Sequence, residues 1–600
     1  MWPFSQYVTY SVENLPVRKF DYIVVGGGTA GCALASRLSE DKDTTVLLVE
    51  RGPVVTSWIS RVPLLSVDYR PARSPTYKWQ SAPQEGLNGA RLNLVGGKAM
   101  GGTSKVNIFL STRSVPGEYN AWAQAGRKNW SWQCVVPYFV KSETSLSDGK
   151  GVCRGSKGPW INQQLDGKIF QCIVESAKAA NTLGIPFLNK ANNPNAPAVS
   201  CIRLDRTLDR KMHRQSTFDA FLPPHIVKDR IKNLYVCPET IVNKIVLRDG
   251  AAVGVHIRKE GGLSGSVFVS AKKEVILCAG AIATPQLLML SGVGPEDHLQ
   301  QHRILVVKSL PGVGSHLQDH PSVSVVYKAP IQDTLHCLEA NPLKALWELL
   351  KYVLFGIGLF LAPNPQTAIF VLSRLLNDDS RTAPGSPADV NPYSPQNVPD
   401  IEIMPVPYNT TEAMPKGLGK SHGGFSYICV GLRPASTGTV RLASTDPEAR
   451  PICDLGMLKN AGDYVALRKA VRLALALGRK LRQNGYPLRD LFVPQSESDE
   501  ALDTFIRDGA RTTFHYSSSC RMAPEAEMGV VDDELRVHGV RGLRIADASV
   551  FPKIPACHTQ APTVMIAERC ADFIHAARAR EQTQAMLRKV QQMQSYWGTS

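Results

Sequence analysis

No C-x-x-C pair occurs among the 13 cysteines of this 600-residue chain, so a zinc ribbon or a thioredoxin-like motif has no support. No run of Lys and Arg interleaved with aromatic residues is present either. The formal charge of +16 therefore reads as the general basicity of a large chain, not as a nucleic-acid footprint. No stretch approaches the ~20 consecutive apolar residues that a membrane-spanning helix needs. The most hydrophobic run, Leu346 to Leu361, is shorter and is broken by Gly356 and Gly358; a buried helix or hairpin of a second domain is expected there, with interfacial membrane contact as the lesser alternative. The first residues, MWPFSQYVTYSVENLPVRKF, lack a basic segment followed by an apolar one, and the final Trp-Gly-Thr-Ser is not a peroxisomal address. The expectation is a cytoplasmic protein with reduced thiols. Internal repeats and low-complexity arrays are absent. With 43% hydrophobic and 20% charged residues, the composition is globular, and the length suits two or more domains.

What is present is organised around Phe20 to Glu50. Tyr22 to Val25 is apolar and β-branched, as in a buried parallel strand. Gly26, Gly28 and Gly31 follow as G-x-G-x-x-G. Ala30 to Leu38 has helical periodicity, and Val46 to Val49 is a second apolar strand ending on Glu50. Gly26 suits the tight turn, Gly28 lets a pyrophosphate approach a helix N-terminus, and Gly31 lets helix and strand pack closely. Glu50 is placed to accept from ribose hydroxyls. The fingerprint alone leaves NAD and FAD both open.

Farther along, Arg91 to Asn107 reads RLNLVGGKAMGGTSKVN, with two glycine pairs and the hydroxyls of Thr103 and Ser104. Trp122, Trp130, Trp132, Tyr138 and Phe139 suit a core stripe better than a ligand platform. Ile241–Leu247 and Ala252–Arg258 read as a hairpin across Asp249-Gly250. Lys273–Cys278 reads as a strand and Thr284–Leu290 as a short helix. From Pro321 to about Gly509, apolar segments alternate with long polar loops. Asn377 to Asp400 reads as a mobile surface loop, Thr411 to Gly424 as a flap, and Asp463 to Leu481 as a helix with one broad apolar face.

Near the C-terminus stand TFHYSSSCRM (Thr513–Met522), VDDELRVHGVRGLRIADASVFP (Val531–Pro552) and IPACHTQAPTVMI (Ile554–Ile566). Taken with the N-terminal fingerprint, the glycine-rich loop, GAIATPQLLMLSGVG at Gly280–Gly294 and GVGSHLQDH at Gly312–His320, their order and spacing resemble the glucose–methanol–choline oxidoreductase family of FAD enzymes. The resemblance spans roughly residues 18–578 and is loose over Pro321–Gly509.

The resemblance implies an α/β fold, α+β overall: a Rossmann-like FAD-binding domain interleaved with a substrate domain built on an antiparallel sheet flanked by helices. The implied division gives 18–110, 205–320 and 511–578 to FAD binding, 111–204 and 321–510 to the substrate-binding cap, and 579–600 to a tail. Ala576 to Gln594 is expected to be an exposed helix. His515 is implied as the catalytic base and His558 as its partner; a neutral imidazole can take a hydroxyl proton near neutral pH. His320 and His538, also inside family motifs, read as structural. FAD contacts are implied for Gly26, Gly28, Thr29, Ala30 and Gly31 at the pyrophosphate, and for Glu50 and Arg51 at the adenosine ribose. Thr103, Asn107, Ile108 and Leu110 are implied along the isoalloxazine, and Val242 at the adenine. Asp547 and Ala548 are implied toward the ribityl chain, and Thr559 and Gln560 at the pyrimidine end. No metal is called for. Some family members attach FAD through a His just before the loop Asn; here that residue is Val106, so a dissociable FAD is expected. Two departures are Tyr516-Ser517-Ser518-Ser519 after His515, and Lys105 in the loop.

The implied activity is oxidation of a primary or secondary alcohol to a carbonyl, with oxygen or another acceptor regenerating the flavin. The lack of a recognisable signal peptide favours an intracellular dehydrogenase or a biosynthetic tailoring enzyme. A non-redox lyase or cyclase on the same fold is the alternative, and a non-catalytic flavin-binding protein a further one. The intact histidine pair argues against the last. Nothing in the sequence names the substrate or fixes the oligomeric state.

Overall fold

The computed structural model describes residues 7–67, 75–147, 153–165, 170–262, 265–361, 365–412 and 416–597, the last few by their backbone alone. Lys19–Val25 lies centrally in a sheet and pairs in parallel with Val46–Val49 on one side and Val267–Leu277 on the other. Both its faces are covered, so all residues from Phe20 to Val25 are buried; Tyr22 to Val25 is accordingly apolar, and Asp21 is satisfied by the Thr45 N–H and hydroxyl. The seven-stranded order runs Leu234–Cys237, Val46–Val49, Lys19–Val25, Val267–Leu277, Ala251–Lys259, Thr240–Arg248, and Leu543–Ile545 also pairs with Val267–Leu277 in parallel. Parallel neighbours need a crossover, and the helix Thr29–Leu38 supplies the first. Thr240–Arg248 and Ala251–Lys259 form an antiparallel hairpin. Its turn puts Asp249 and Gly250 at positive φ (49° and 71°), as a two-residue hairpin loop requires.

The eight-stranded second sheet runs Arg489–Phe492, Pro321–Ala329, Gly423–Gly431, Ile401–Val406, Thr367–Val371, Ser200–Arg203, Phe187–Leu188, and Arg511–Thr512 pairs with Pro321–Ala329. All its pairings are antiparallel except that of Phe187–Leu188 with Ser200–Arg203. Gly462–Gln483 covers one face through Leu467, Ala470, Val471, Ala474 and Leu477. Gly478 lets it come close, because a Cβ there would lie 2.5 Å from the Tyr327 hydroxyl oxygen.

The N-terminal segment packs on the sheet edge: Val12 and Leu15 are buried, and the Tyr10 N–H donates to the Val236 carbonyl (2.8 Å). Two expectations are corrected. The helix expected at Thr284 begins at Gly280 and holds Pro285 inside it; the Ala281 carbonyl, which a residue-285 N–H would otherwise meet, accepts from the Ser519 hydroxyl (2.5 Å). Leu346 to Leu361 is not a buried element: most of it belongs to the helix Pro342–Phe355, whose buried residues are only Glu348 and Tyr352. The aromatic stripe is core as expected, with Trp122, Trp130, Trp132 and Phe139 buried and Tyr138 packed against them. The C-terminal helix extends over Gln560–Trp597 and is solvent-exposed beyond about residue 578. Part of the expected flap, 413–415, lies outside the described residues.

Candidate active site

The glycine turn shows which positions are structural and which leave room. A Cβ on Gly26 (φ 104°) would sit 2.5 Å from the Cys278 carbonyl oxygen, and one on Gly31 would sit 1.8 Å from the Gly26 carbonyl oxygen. Those two glycines let strand, helix and neighbouring strand close up. At Gly28 a Cβ would meet only ordinary contacts, the nearest atom 3.7 Å away, so the backbone there is not packed as tightly as at Gly26 and Gly31. The N-terminus of Thr29–Leu38, with Thr29 and Ala30 in its first turn, has no side-chain cap, which leaves its N–H groups for an anion. Glu50 braces the loop with both oxygens, accepting from Gly27 N–H (2.9 Å) and Gly52 N–H (2.7 Å). Burial pushes its carboxyl up to about 7. Arg51 donates to Glu260 (2.7 Å), and the half-buried Val242 lies on the hairpin that Thr240 ties to the Glu50 carbonyl.

A second braced turn faces the first. Asp547 accepts from Gly280 N–H (2.9 Å), the Thr284 hydroxyl (2.6 Å) and Ser549 N–H (2.8 Å), while burial raises its carboxyl above the usual range. The next carbonyl, Ala548, accepts from Ser518 N–H (3.0 Å).

The glycine-rich loop forms a short turn, Gly102–Lys105, with Thr103 exposed. Ser104 N–H donates to the Thr29 hydroxyl (3.3 Å), joining it to the fingerprint helix. Asn107 donates to Gln560 Oε1 (2.5 Å) and accepts from Phe109 N–H (3.0 Å) and from Arg214 (3.2 Å). Gln560 follows Thr559 at the start of the last helix, and its Nε2 is buried with no partner among the described residues. Ile108 and Leu110 pack with Ala556. Arg214, absent from the sequence reading, is buried, donates to the Ser104 carbonyl (2.9 Å) and lies 4.7 Å over the Phe109 ring. Desolvation lowers its guanidinium to about 9. The unusual Lys105 is fully buried against Asp219 (3.2 Å), which also caps Thr217–Phe221. It is a pillar under the loop, and its burial lowers the ammonium's pKa.

The histidines are brought together by register. Thr512 pairs with Pro321 and Arg511 with Ser322, so the residues just outside that pairing, Asp319-His320 and Thr513 to His515, come alongside one another. Asp319 accepts from the Thr512 hydroxyl and from His515 N–H (2.9 Å); burial pushes its carboxyl up to about 6. Phe514, at φ 60°, turns the chain so that His515 meets His320, with their Nδ1 atoms 2.9 Å apart. Among the described residues His515 Nε2 has no hydrogen-bond partner. The rings of His515 and His558 stand edge-on with centroids 5.1 Å apart.

His558 is fixed by its N–H to the Thr112 hydroxyl (2.9 Å) and by Nε2 to Glu402 Oε1 (3.1 Å). Strand alternation explains Glu402. Ile401 and Ile403 point into one core, Met404 and Val406 into the other, on the side of Leu110 and Ala556, and Glu402 shares that second face. Desolvation, aided by the neighbouring imidazoles, holds His515 well below its ordinary pKa of 6.5 and pulls His320 down to about 3. Both rings are therefore neutral at pH 7. The sequence reading passed over Glu402. A lone acid in the apolar strand Ile401–Val406 was the available signal. It also treated His320 as structural, whereas the ring touches His515 directly.

These features define a dinucleotide cradle facing a pair of neutral histidines, the arrangement of a flavin-dependent alcohol oxidoreductase. The family model for GMC oxidoreductases matches residues 20–322 and 434–567, and the chain belongs to that family. It is 32% identical over 576 residues to an oxygen-dependent choline dehydrogenase of Paraburkholderia phytofirmans, covering 94% of this chain and 95% of the relative. The corresponding Chromohalobacter salexigens protein is 32% identical over 571 residues, covering 93% and 95%. Among solved structures, pyridoxine 4-oxidase from Mesorbium loti superposes with a TM-score of 0.79 at 26% identity, covering 93% of this chain and 99% of that one. A formate oxidase gives 0.81 at 27%, covering 94% and 99%. The protein is thus an FAD-dependent oxidoreductase acting on a CH–OH group. The uncapped helix and the buried Gln560 Nε2, without a partner among the described residues, fit that cofactor.

Proposed function

We propose that the chain oxidises a small alcohol to the carbonyl with His515 as proton acceptor and His558 as the group that positions the substrate oxygen. The observation that carries this is the 2.9 Å contact between the His515 and His320 Nδ1 atoms, which leaves Nε2 as the other nitrogen of a ring standing edge-on to His558. FAD, held between the first turn of Thr29–Leu38, Asp547, Asn107 and Gln560, supplies the hydride acceptor. With His515 Nδ1–H donating to His320, the lone pair resides on Nε2, where the hydroxyl proton is taken. His320 stays neutral throughout, so the proton stops at His515. Glu402 lies 3.1 Å from His558 Nε2 and fixes that ring's orientation beside His515.

Val106, where some members of the family carry a linking His, supports a dissociable flavin. The curated relatives are named for choline, which makes choline the first alcohol to try.

The test is an anaerobic titration of the flavoprotein with choline and a panel of primary and secondary alcohols. Bleaching of the flavin band is expected. A panel without bleaching, together with turnover of a substrate whose redox state does not change, overturns the reading in favour of a lyase or cyclase. His515→Ala should keep its FAD and slow flavin reduction by about 10² or more.

A further inference from the structure

The helix Pro342–Phe355 turns its apolar side away from the protein. Leu343, Trp347, Leu354 and Phe355 are 79%, 62%, 67% and 70% exposed, with Leu346 and Val353 beside them at more than half. At ~100° per residue Leu343, Leu346, Trp347, Val353 and Leu354 gather on one stripe roughly 120° wide, and Phe355 is exposed at the helix end. The patch continues onto Trp58 and Ile59; the Trp58 ring lies 6.4 Å from that of Tyr352 on the inward face. A continuous apolar surface of this kind is not left open to water without a use.

Cations predominate around it. Lys344 flanks the stripe, the exposed Arg210 and Lys211 adjoin it with the Lys211 carbonyl beside Gly356, and Lys351 is ion-paired with Glu348. Glu348, the only acid from Pro342 to Leu361, is buried, and its Oε2 accepts from Leu359 N–H (2.9 Å). We propose that this helix is an interfacial anchor that seats the enzyme on an anionic lipid bilayer. The stripe enters the headgroup boundary while the cations stay at phosphate level. The helix lies on the membrane and does not cross it: no helix among the described residues is long and apolar enough to span. Charge selects the bilayer over a second copy of the chain. Two such faces brought together would oppose lysines and arginines, whereas acidic headgroups complement them.

The anchor is joined to the active-site loop. The Tyr352 hydroxyl donates to the Met212 carbonyl (3.3 Å), Arg214 N–H donates to the Arg61 carbonyl (2.8 Å), and the Arg214 side chain holds Ser104 and Asn107.

Co-sedimentation of the full-length FAD-loaded enzyme tests the anchor, using vesicles of phosphatidylcholine alone and of phosphatidylcholine mixed with phosphatidylserine. Binding to the mixed vesicles is expected to be at least ~10-fold tighter and to weaken with salt. The double variant Trp347→Glu/Leu354→Glu changes two exposed positions. It should lose at least ~10-fold in vesicle binding while keeping its flavin content and thermal midpoint. Lys344→Glu/Lys211→Glu should lose the preference for phosphatidylserine. Brominated lipid should quench tryptophan fluorescence in the unaltered enzyme, a readout that needs no variant. The proposal is overturned if the enzyme ignores the mixed vesicles, or if the glutamate pair leaves binding unchanged. Light scattering that shows a dimer dissolved by Trp347→Glu/Leu354→Glu, without vesicle binding, would give the face to a second copy instead.

Discussion

Two neutral imidazoles whose Nδ1 atoms lie 2.9 Å apart have one proton between those nitrogens, and its side decides whether His515 is a base. A residue at 320 must therefore offer an acceptor. His320→Leu removes it and should slow flavin reduction on the order of 10²-fold through the wrong tautomer. His320→Gln, whose amide oxygen can accept, should recover most of the rate; equal losses in both variants would reduce His320 to packing. Because desolvation holds His515 well below 6.5, the acid limb of the reduction rate should fall well below pH 6.5, which stopped-flow pH profiles would read. Stability carries the same signature with its sign. His320 titrates at about 3 when folded and ~6.5 when unfolded. The unfolded chain therefore binds the extra proton, and the contribution is lost as pH drops through that window. Glu50 and Asp319, raised to about 7 and about 6, work the other way: what they contribute is full below pH ~4 and lost as pH rises through those values. Urea midpoints at pH 7 and 5 should show wild type losing ground to His320→Gln at the lower pH, by about 1–2 kcal/mol. The sequence made His515 and His558 visible because motifs flank both. Glu402 was not visible, since its meaning depends on which sheet face the strand turns toward the flavin.

At the scale of elements, the two glycines of one motif should fail differently. Gly31→Ala places a methyl 1.8 Å from a carbonyl oxygen and is expected to give no soluble flavoprotein. Gly28→Ala has 3.7 Å of room and should fold but hold FAD more weakly, measured as flavin per polypeptide after gel filtration. Where local pattern and burial agree, the sequence was readable: Gly462–Gln483 has its apolar stripe inward, and the hairpin turns at Asp249-Gly250 as its residues require. Pro342–Phe355 misled because hydrophobicity records how apolar a face is, not whether protein covers it. The two-residue strand Arg511–Thr512 is too short to carry a period, yet it sets the position of His515.

For the molecule as a whole, acid precipitation should leave the yellow flavin in the supernatant, given Val106 where a linking His would stand; colour in the pellet would contradict it. All 13 cysteines are free, as the scattered spacing implied. The sheet that holds the cofactor draws strands from both ends of the chain: Lys19–Val25 binds Val267–Leu277, and that strand waits for Leu543–Ile545. A ribosome takes roughly 30–120 s over a chain of this length. The glycine turn emerges early in that interval, while the strand carrying Asp547 and the segment carrying His515 come near its end. FAD therefore meets a finished cradle only after release, and the exposed edge of Val267–Leu277 is open to chaperones, or to misassembly, for most of synthesis. A chain stopped just before Leu543 should accumulate without flavin however much FAD is supplied.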